Sequence, residues 1–113
     1  MSAANYDLVI DQGTTFTVDI TINESGSAKN LTGYSARAQM RSTKTATSVA
    51  GSFTCTIPTP SNGIVKMELS PSTSSAMTAG QYFYDLEIYT SSDAIVKRII
   101  EGKVNLTQEV TRS

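Results

Sequence analysis

The residues whose type and spacing best suit chemistry are two carboxylates, Asp85 and Glu87, in the stretch TAGQYFYDLEI of this 113-residue chain. Apolar residues occupy the alternate positions of the stretch, so a strand would project both carboxylates from one face, about 7 Å apart. A carboxylate pair at such a spacing suits glycoside hydrolysis or calcium binding. The alternative is that both carboxylates form ion pairs with basic residues on neighbouring strands.

The basic residues of the chain favour the ion-pair alternative. We expect the strand with the two carboxylates to lie between a strand that carries Arg37 and Arg41 and the last strand, which carries Lys97 and Lys103. The outer faces of these strands would then run basic, acidic, basic, and each opposite-charge pair would contribute roughly a few tenths of a kcal/mol. We therefore predict an ion-pair ladder here rather than a catalytic or calcium site.

Other residue types that perform catalysis or bind metals are scarce. The chain has no histidine, which removes the commonest general base and metal ligand. Its one cysteine, Cys55, alternates with Phe53 and Ile57 on the inward side of a strand, so we interpret it as a small core residue. A single cysteine without histidine cannot build a zinc site, and no glycine-rich phosphate loop is present. The sequence therefore predicts no catalytic, metal or cofactor site, and a protein that is not an enzyme.

Charge and hydropathy argue against two classes of partner. The net charge is −1 with no long run of one sign, whereas nucleic-acid binding normally needs a concentrated basic surface. No stretch approaches the roughly 18 consecutive apolar residues of a membrane-spanning helix. The N-terminus, MSAANYDLVI, lacks the basic and apolar regions of a secretory signal. We therefore expect a protein made in a cytosol that binds neither nucleic acid nor membrane.

Apolar and polar residues alternate along almost the whole chain, which predicts half-buried strands. Ser70 and Pro71 suit the cap and the first position of a single helical turn within residues 70–77. Turn residues separate the alternating segments, so we predict one domain over residues 1–113 that folds as an all-β, immunoglobulin-like antiparallel β-sandwich of about seven strands. The seven predicted strands cover residues 6–10, 16–22, 34–41, 52–57, 65–69, 82–88 and 102–106.

Three residues are predicted to support this fold. Gly80 and Tyr82 follow a short polar turn, which is the arrangement of a tyrosine corner, where the phenol bonds back to the backbone of the preceding turn. Tyr84 then takes the position that antibody domains give to their second cysteine, so aromatic packing would replace the disulfide. We assign structural roles to Gly80, Tyr82 and Tyr84.

The sequence predicts a protein contact around residues 95–100, where apolar residues are arranged in an unusual pattern. The segment IVKRII, residues 95–100, places apolar residues in both parities of the strand. Either a bulge near Gly102 shifts the register, or the strand is covered on its outer face as well. With two outward aromatic residues of the neighbouring strand, these residues would form an apolar patch of the kind that marks a protein contact; the alternative is that loops and a bulge cover it. The contact candidates are Phe83, Tyr89, Ile95, Lys97 and Ile99.

Five phrases of the sequence resemble, in order, a family of small immunoglobulin-like virion structural proteins that tailed bacteriophages encode in their structural-gene regions. The resemblance spans nearly the whole chain, and its most distinctive parts are LTGYSARAQMR and EGKVNLTQEVTR. Extended Ser/Thr-rich loops at 42–50 and 90–94 depart from the usual pattern of the family. The five phrases are YDLVIDQGTTFTVDI, NLTGYSARAQMR, NGIVKMELS, AGQYFYDLEIY and VKRIIEGKVNLTQEVTR.

The resemblance implies a non-enzymatic virion protein that is made in the host cytoplasm and docks through a sheet face on a larger assembly. Its expected partners are other virion proteins and further copies of the chain, as a homo-oligomer or in many copies of a symmetric assembly. We expect a tail, baseplate or fibre-adaptor component, with a capsid decoration protein as the alternative. A carbohydrate-binding module that uses exposed aromatics such as Phe83 and Tyr89 is a more distant alternative, since the chain has no tryptophan.

Overall fold

Nearly all regular structure in the computed structural model, which describes residues 4–24 and 26–110, is β-strand. One turn of α-helix, α1 (Pro71–Ser75), and two 3-10 turns (Pro60–Asn62 and Ser91–Asp93) complete the described elements. The ten strands in this part of the chain are β1 (Ala4–Asn5), β2 (Leu8–Asp11), β3 (Phe16–Thr21), β4 (Asn23–Glu24), β5 (Ser27–Ala28), β6 (Ser35–Arg41), β7 (Gly51–Thr56), β8 (Ile64–Leu69), β9 (Gly80–Tyr89) and β10 (Val96–Thr107).

One curled sheet forms both layers of the fold. Its strand order is β1-β10-β9-β6-β7-β8-β3, with β2 following β1 along the same edge of β10. Strand β7 passes between the layers, because its residues 51–53 pair with β6 and its residues 54–56 pair with β8. The predicted all-β, sandwich-like fold is confirmed.

The first edge of the sheet departs from the antiparallel prediction. Both β1 and β2 run parallel to β10, with Ala4 opposite Ile100 and Leu8 opposite Val104. Alternation predicts which residues of a strand are buried, but it carries no information about strand direction. All seven predicted strands occur, and the three further ones are short: β1 is separate from β2, and β4 and β5 form a small hairpin of their own.

Alternate residues of the two layers meet in one core. The rings of Phe16, Phe53 and Tyr84 form a chain of contacts from β3 through β7 to β9, with centroids 6.2 and 6.1 Å apart. Aromatic packing therefore joins the two layers, as the sequence predicted at Tyr84. The apolar core residues that are at most 2% exposed are Ile10, Leu31, Met40, Val65, Met67, Leu69, Leu86, Ile88, Val104 and Leu106.

The helical turn forms where the sequence predicted it. The Ser70 hydroxyl accepts a hydrogen bond from the Thr73 N–H, and Pro71 takes the first helical position, so the predicted cap is confirmed. Ser74 is fully buried; its hydroxyl accepts from the Gly13 N–H at 2.8 Å and donates to the Pro71 carbonyl at 3.2 Å. The helical turn thus holds the connection between β2 and β3.

A glycine in β10 lets the first edge approach closely. Gly102 lies opposite Tyr84, and the Tyr84 hydroxyl donates a hydrogen bond to the carbonyl of Tyr6, which lies between β1 and β2. A Cβ at Gly102 would overlap that carbonyl oxygen and lie 2.8 Å from Asp7 Oδ1. The Asp7 carboxylate accepts from the Lys103 N–H at 2.9 Å, in place of a backbone acceptor. These contacts fix the kink between the two edge strands.

Gln12 ties the end of β10 to the rest of the fold. Its N–H donates to the Thr107 carbonyl at 3.0 Å, and its Oε1 accepts from the Glu109 N–H at 2.9 Å. Its side-chain amide also donates to the Met77 carbonyl, just after α1, at 2.9 Å. The backbone and side chain of this one residue therefore connect the first edge with the end of β10 and with the segment just after α1.

Candidate functional site

The outer face of the layer formed by β6, β9 and β10 presents the side chains that alternation directs away from the core. We call it the outer face. Residues directly opposite one another on adjacent strands share a face, so the register defines four rows. Read from β6 through β9 to β10, they are Ser35–Tyr89–Val96, Arg37–Glu87–Arg98, Gln39–Asp85–Glu101 and Arg41–Phe83–Lys103.

The two carboxylates of β9 form ion pairs on this face. Arg37 Nε lies 2.9 Å from Glu87 Oε1, and Arg98 Nε lies 3.2 Å from Asp85 Oδ2. Arg98 also lies within 3.7 Å of the Glu101 carboxylate. A ladder of alternating charge is therefore present, as the sequence predicted.

The lysines expected to supply that ladder from the last strand do not take part in it. The register of β9 and β10 shifts between Arg98 and Ile100, so β10 contains a bulge at Ile99. This is the predicted bulge, a few residues before its expected position at Gly102. It moves Lys97 opposite Ile88, on the other side of the sheet, and brings Arg98 onto the outer face in its place. Lys103 does lie on the outer face, but opposite Phe83 rather than a carboxylate.

The electrostatics of the carboxylates follow from this arrangement. The pKa of Asp85 is raised above its usual value because partial burial disfavours the charged form and because Glu87 and Glu101 are close; Arg98 opposes the shift. The hydrogen bond to Glu87 raises the pKa of Arg37. Neither β9 carboxylate is free of an arginine, and no group of ligating side chains in the described residues is arranged to hold a metal ion.

Both outward aromatic rings of β9 are covered by cations. The Arg37 guanidinium lies over the ring of Tyr89, 4.3 Å from its centroid, and Lys44 Nζ lies 5.9 Å from the centroid of Phe83. Arg37 is also held by Asp93, 3.5 Å away in the 3-10 turn after β9. The two rings are half-buried as a result, so the outer face is less apolar than the sequence predicted.

A groove of about 560 Å³ runs over the outer face. The loop after β6 contributes Lys44 to its wall, and the Arg41 guanidinium fastens that loop by donating to the Ala46 carbonyl at 3.0 Å. Phe83 lines the groove together with the charged rows. The sequence showed residues 42–50 only as an extended Ser/Thr-rich loop, because the position of a loop residue over another strand is a tertiary property.

The five contact candidates do not form one patch. Phe83 and Tyr89 lie on the outer face, whereas Lys97 is exposed on the other side of the sheet and Ile95 precedes β10, 46% exposed. Ile99, in the bulge, is half-buried and packs against the core, so it is not the freely outward residue that the sequence predicted.

Val96 is the outward residue that sequence reasoning left out of the candidate list. It lies beside Tyr89 on the outer face and is 43% exposed. Its signal was present in the IVKRII segment, but only the position of the bulge shows which of the adjacent apolar residues point outward. Tyr89, Ile95 and Val96 form the apolar tip of the β9–β10 hairpin.

The three residues assigned structural roles lie in β9: Gly80 begins the strand, and Tyr82 and Tyr84 point into the core. The Tyr82 hydroxyl donates to the Thr78 carbonyl, which is the bond of a tyrosine corner. Gly80 has φ of 148°, a conformation that favours glycine. Burial raises the pKa of the Tyr84 phenol.

Cys55 has the environment of a core residue. It is partly buried, packs against the core, and has a pKa raised to about 11 because burial disfavours the thiolate. A thiol with so high a pKa is a poor nucleophile at neutral pH.

Within residues 4–24 and 26–110, none of the helices has the length and apolar character that a membrane span requires.

Solved structures with a fold similar to that of this chain include a domain of a phage protein. The chain matches the N-terminal domain of phage TP901-1 ORF48 over 96% of its own length and 100% of that domain, with a TM-score of 0.58 and 12% sequence identity. A family 123 glycoside hydrolase from Clostridium perfringens aligns with a TM-score of 0.42 and 12% identity over 24% of its length, which is too low to indicate a shared fold. No protein-family model and no curated protein sequence matches this chain.

Proposed function

We propose that the chain is a non-enzymatic structural protein of a tailed-phage particle, and that it docks on a larger assembly through the outer face and the hairpin tip. The observation that carries the proposal is the similarity of fold to a phage protein domain along 96% of the chain. The five sequence phrases that resemble phage structural proteins agree with it.

The chemistry of the described residues supports a docking role rather than catalysis. The carboxylates that best suit acid–base work are engaged by arginines, at 2.9 and 3.2 Å. The chain has no histidine, and its one thiol has a pKa raised to about 11. The hairpin tip, by contrast, exposes Ile95 and Val96 to 46% and 43%, a feature that suits a contact with another protein.

Within the particle, we propose a tail, baseplate or fibre-adaptor position, with decoration of the head as the alternative. Immunogold labelling of intact particles with antibody to the chain separates the two. Gold at the tail tip or collar supports the first position, and gold spread over the head supports the second. Absence of the chain from purified particles, by mass spectrometry, contradicts the virion role altogether.

The contact surface is tested by a matched pair of charge insertions. Val96→Asp alters the hairpin tip, and Thr17→Asp alters an exposed strand residue on the outer side of the other layer. We expect both variants to fold, as measured by thermal unfolding, and only Val96→Asp to be lost from particles. Normal incorporation of Val96→Asp would show that the tip is not the docking surface.

A further inference from the structure

One end of the groove carries cations that form no direct ion pair within the described residues, although Arg41 is close enough to Asp85 to offset part of the rise in the pKa of that carboxyl. Arg41, Lys44 and Phe83 line this end, and Lys44 lies over the Phe83 ring. Lys103 lies opposite Phe83 on β10, beside the groove rather than in its lining. We call these four residues the cationic end. Among the described residues, none of the three cations lies within ion-pair distance of a carboxylate.

At the other end of the same groove, the arginines form ion pairs with carboxylates. There Arg37 is paired with Glu87, and Arg98 is paired with Asp85 and Glu101. The two ends lie on the same three strands and differ mainly in whether carboxylates accompany the cations. An anionic group that enters the groove is therefore drawn to the cationic end.

Arg41 is held ready to receive such a group. One of its terminal nitrogens donates to the Ala46 carbonyl at 3.0 Å, and the other donates to Gln39 Oε1 at 3.2 Å. A guanidinium has five N–H donors, so further donors remain for an acceptor in the groove. Because its position is already fixed, little side-chain entropy is lost when an anion binds.

The carboxylates at the ion-paired end of the groove limit which kinds of anion can bind at the cationic end. Asp85, Glu87 and Glu101 line the same groove and would repel a polyanion such as a nucleic-acid backbone or an acidic membrane surface. A protein segment with an isolated Asp or Glu avoids that repulsion, and its apolar stem can pack on Phe83. The charge pattern therefore favours a peptide carboxylate.

We infer that the cationic end binds an Asp or Glu side chain of the virion protein on which this chain docks. The inference rests on the proposed function and adds to it the chemistry of the partner's contact. It assigns Arg41 to a direct ion pair, Lys44 and Lys103 to flanking contacts, and Phe83 to packing against the stem of the acidic residue.

Zero-length cross-linking of intact wild-type particles tests this directly. A carbodiimide joins a lysine amine to a carboxylate only where the two are in contact. We expect peptide mass spectrometry to find Lys44 or Lys103 joined to an Asp or Glu of a different virion protein. Lys29 and Glu24, whose ammonium and carboxylate groups are 3.1 Å apart, provide the internal control, since their cross-link shows that the reagent reached the chain.

The outcomes separate this inference from the proposed function. If the Lys29–Glu24 link forms but Lys44 and Lys103 are joined to no other protein, or only to a second copy of this chain, the inference is wrong while the virion role stands. If mass spectrometry finds no such chain in the particles, both fail together.

Charge reversal provides an independent readout. The double variant Lys44→Glu/Lys103→Glu should reduce incorporation roughly tenfold or more, because it opposes the partner's carboxylate with two like charges. Lys66→Glu, on the other layer, should leave incorporation near the wild-type level. Thermal unfolding of each purified variant separates loss of docking from loss of folding. Equal incorporation of the two variants would overturn the inference.

Discussion

The two paired strands β9 and β10, which we call the ribbon, are buried at one end and exposed at the other. At the end that includes Val104 and Leu106, β10 is paired on both sides, and these two residues are 0% and 2% exposed. At the hairpin end, Val96, Lys97 and Arg98 are all exposed, although they are in the same strand. Apolar residues thus stabilise the fold at one end, whereas at the other end Val96 remains exposed.

The bulge at Ile99 is the point where the two ends meet. It changes which alternate residues of β10 face the core, so Ile100 continues the buried row while Val96 and Arg98 turn to the outer face. A strand with one uninterrupted register would instead direct Lys103 and Lys97 to the same face. The difference between the ends therefore comes from one extra residue rather than from a difference in composition.

The largest effect expected from this comparison is a difference between two truncations in one strand. Leu106→Ala should lower the free energy of unfolding by about 3 kcal/mol, because it leaves a cavity in a fully packed region. Val96→Ala should change it by less than about 0.5 kcal/mol, because the side chain is already exposed. Urea denaturation of both variants measures the difference. Similar losses of stability at the two sites would contradict the conclusion that one end of the ribbon is buried and the other exposed.

A second, smaller loss of stability is expected from a substitution at the point where the first edge of the sheet approaches β10. Gly102→Ala should lower the free energy of unfolding by about 1–3 kcal/mol, because the added Cβ meets the Tyr6 carbonyl and Asp7. Lys97→Ala introduces the same residue at the exposed end of the strand and is the matched control. A Gly102→Ala variant as stable as that control would mean that the edge strands can shift without loss.

The smallest expected change in stability comes from Asp85, in the middle of the ribbon, and it depends on pH. The pKa of Asp85 is raised in the folded protein, so ionisation of this carboxyl lowers stability as the pH rises through the raised pKa. Asp85→Asn should therefore be slightly more stable than wild type at pH 7. The difference should shrink as the pH falls toward the ordinary value of 3.8 and vanish below it.

A second substitution provides a control of opposite sign. Lys29 holds the pKa of Glu24 below its usual value, so the ionised Glu24 stabilises the fold at neutral pH and loses that effect on acidification. Glu24→Gln should therefore be the less stable protein at pH 7. Thermal unfolding between pH 3 and 7 measures both, and equal signs for the two variants would contradict this account of Asp85.

Much of the fold could be predicted from local pattern. The seven strands, the Ser70 cap and the inward position of Cys55 follow from a period of two and from the preferences of single residues, which act over a few neighbours along the chain. The candidate site could be predicted only in part. Phe83 and Tyr89 were correctly expected on an outward face, but the cations over their rings belong to β6 and the loop that follows it.

The sequence by itself determined the elements of this protein, its alternating charge and its lack of histidine, because these depend on residue type and on spacing along the chain. Only the tertiary structure decided that β1 and β2 run parallel to β10, that Arg98 replaces Lys97 in the ion-pair ladder, and that Lys44 covers Phe83. Strand direction, register and loop placement depend on contacts between segments distant in sequence. One bulged residue is enough to reverse the face of every residue before it.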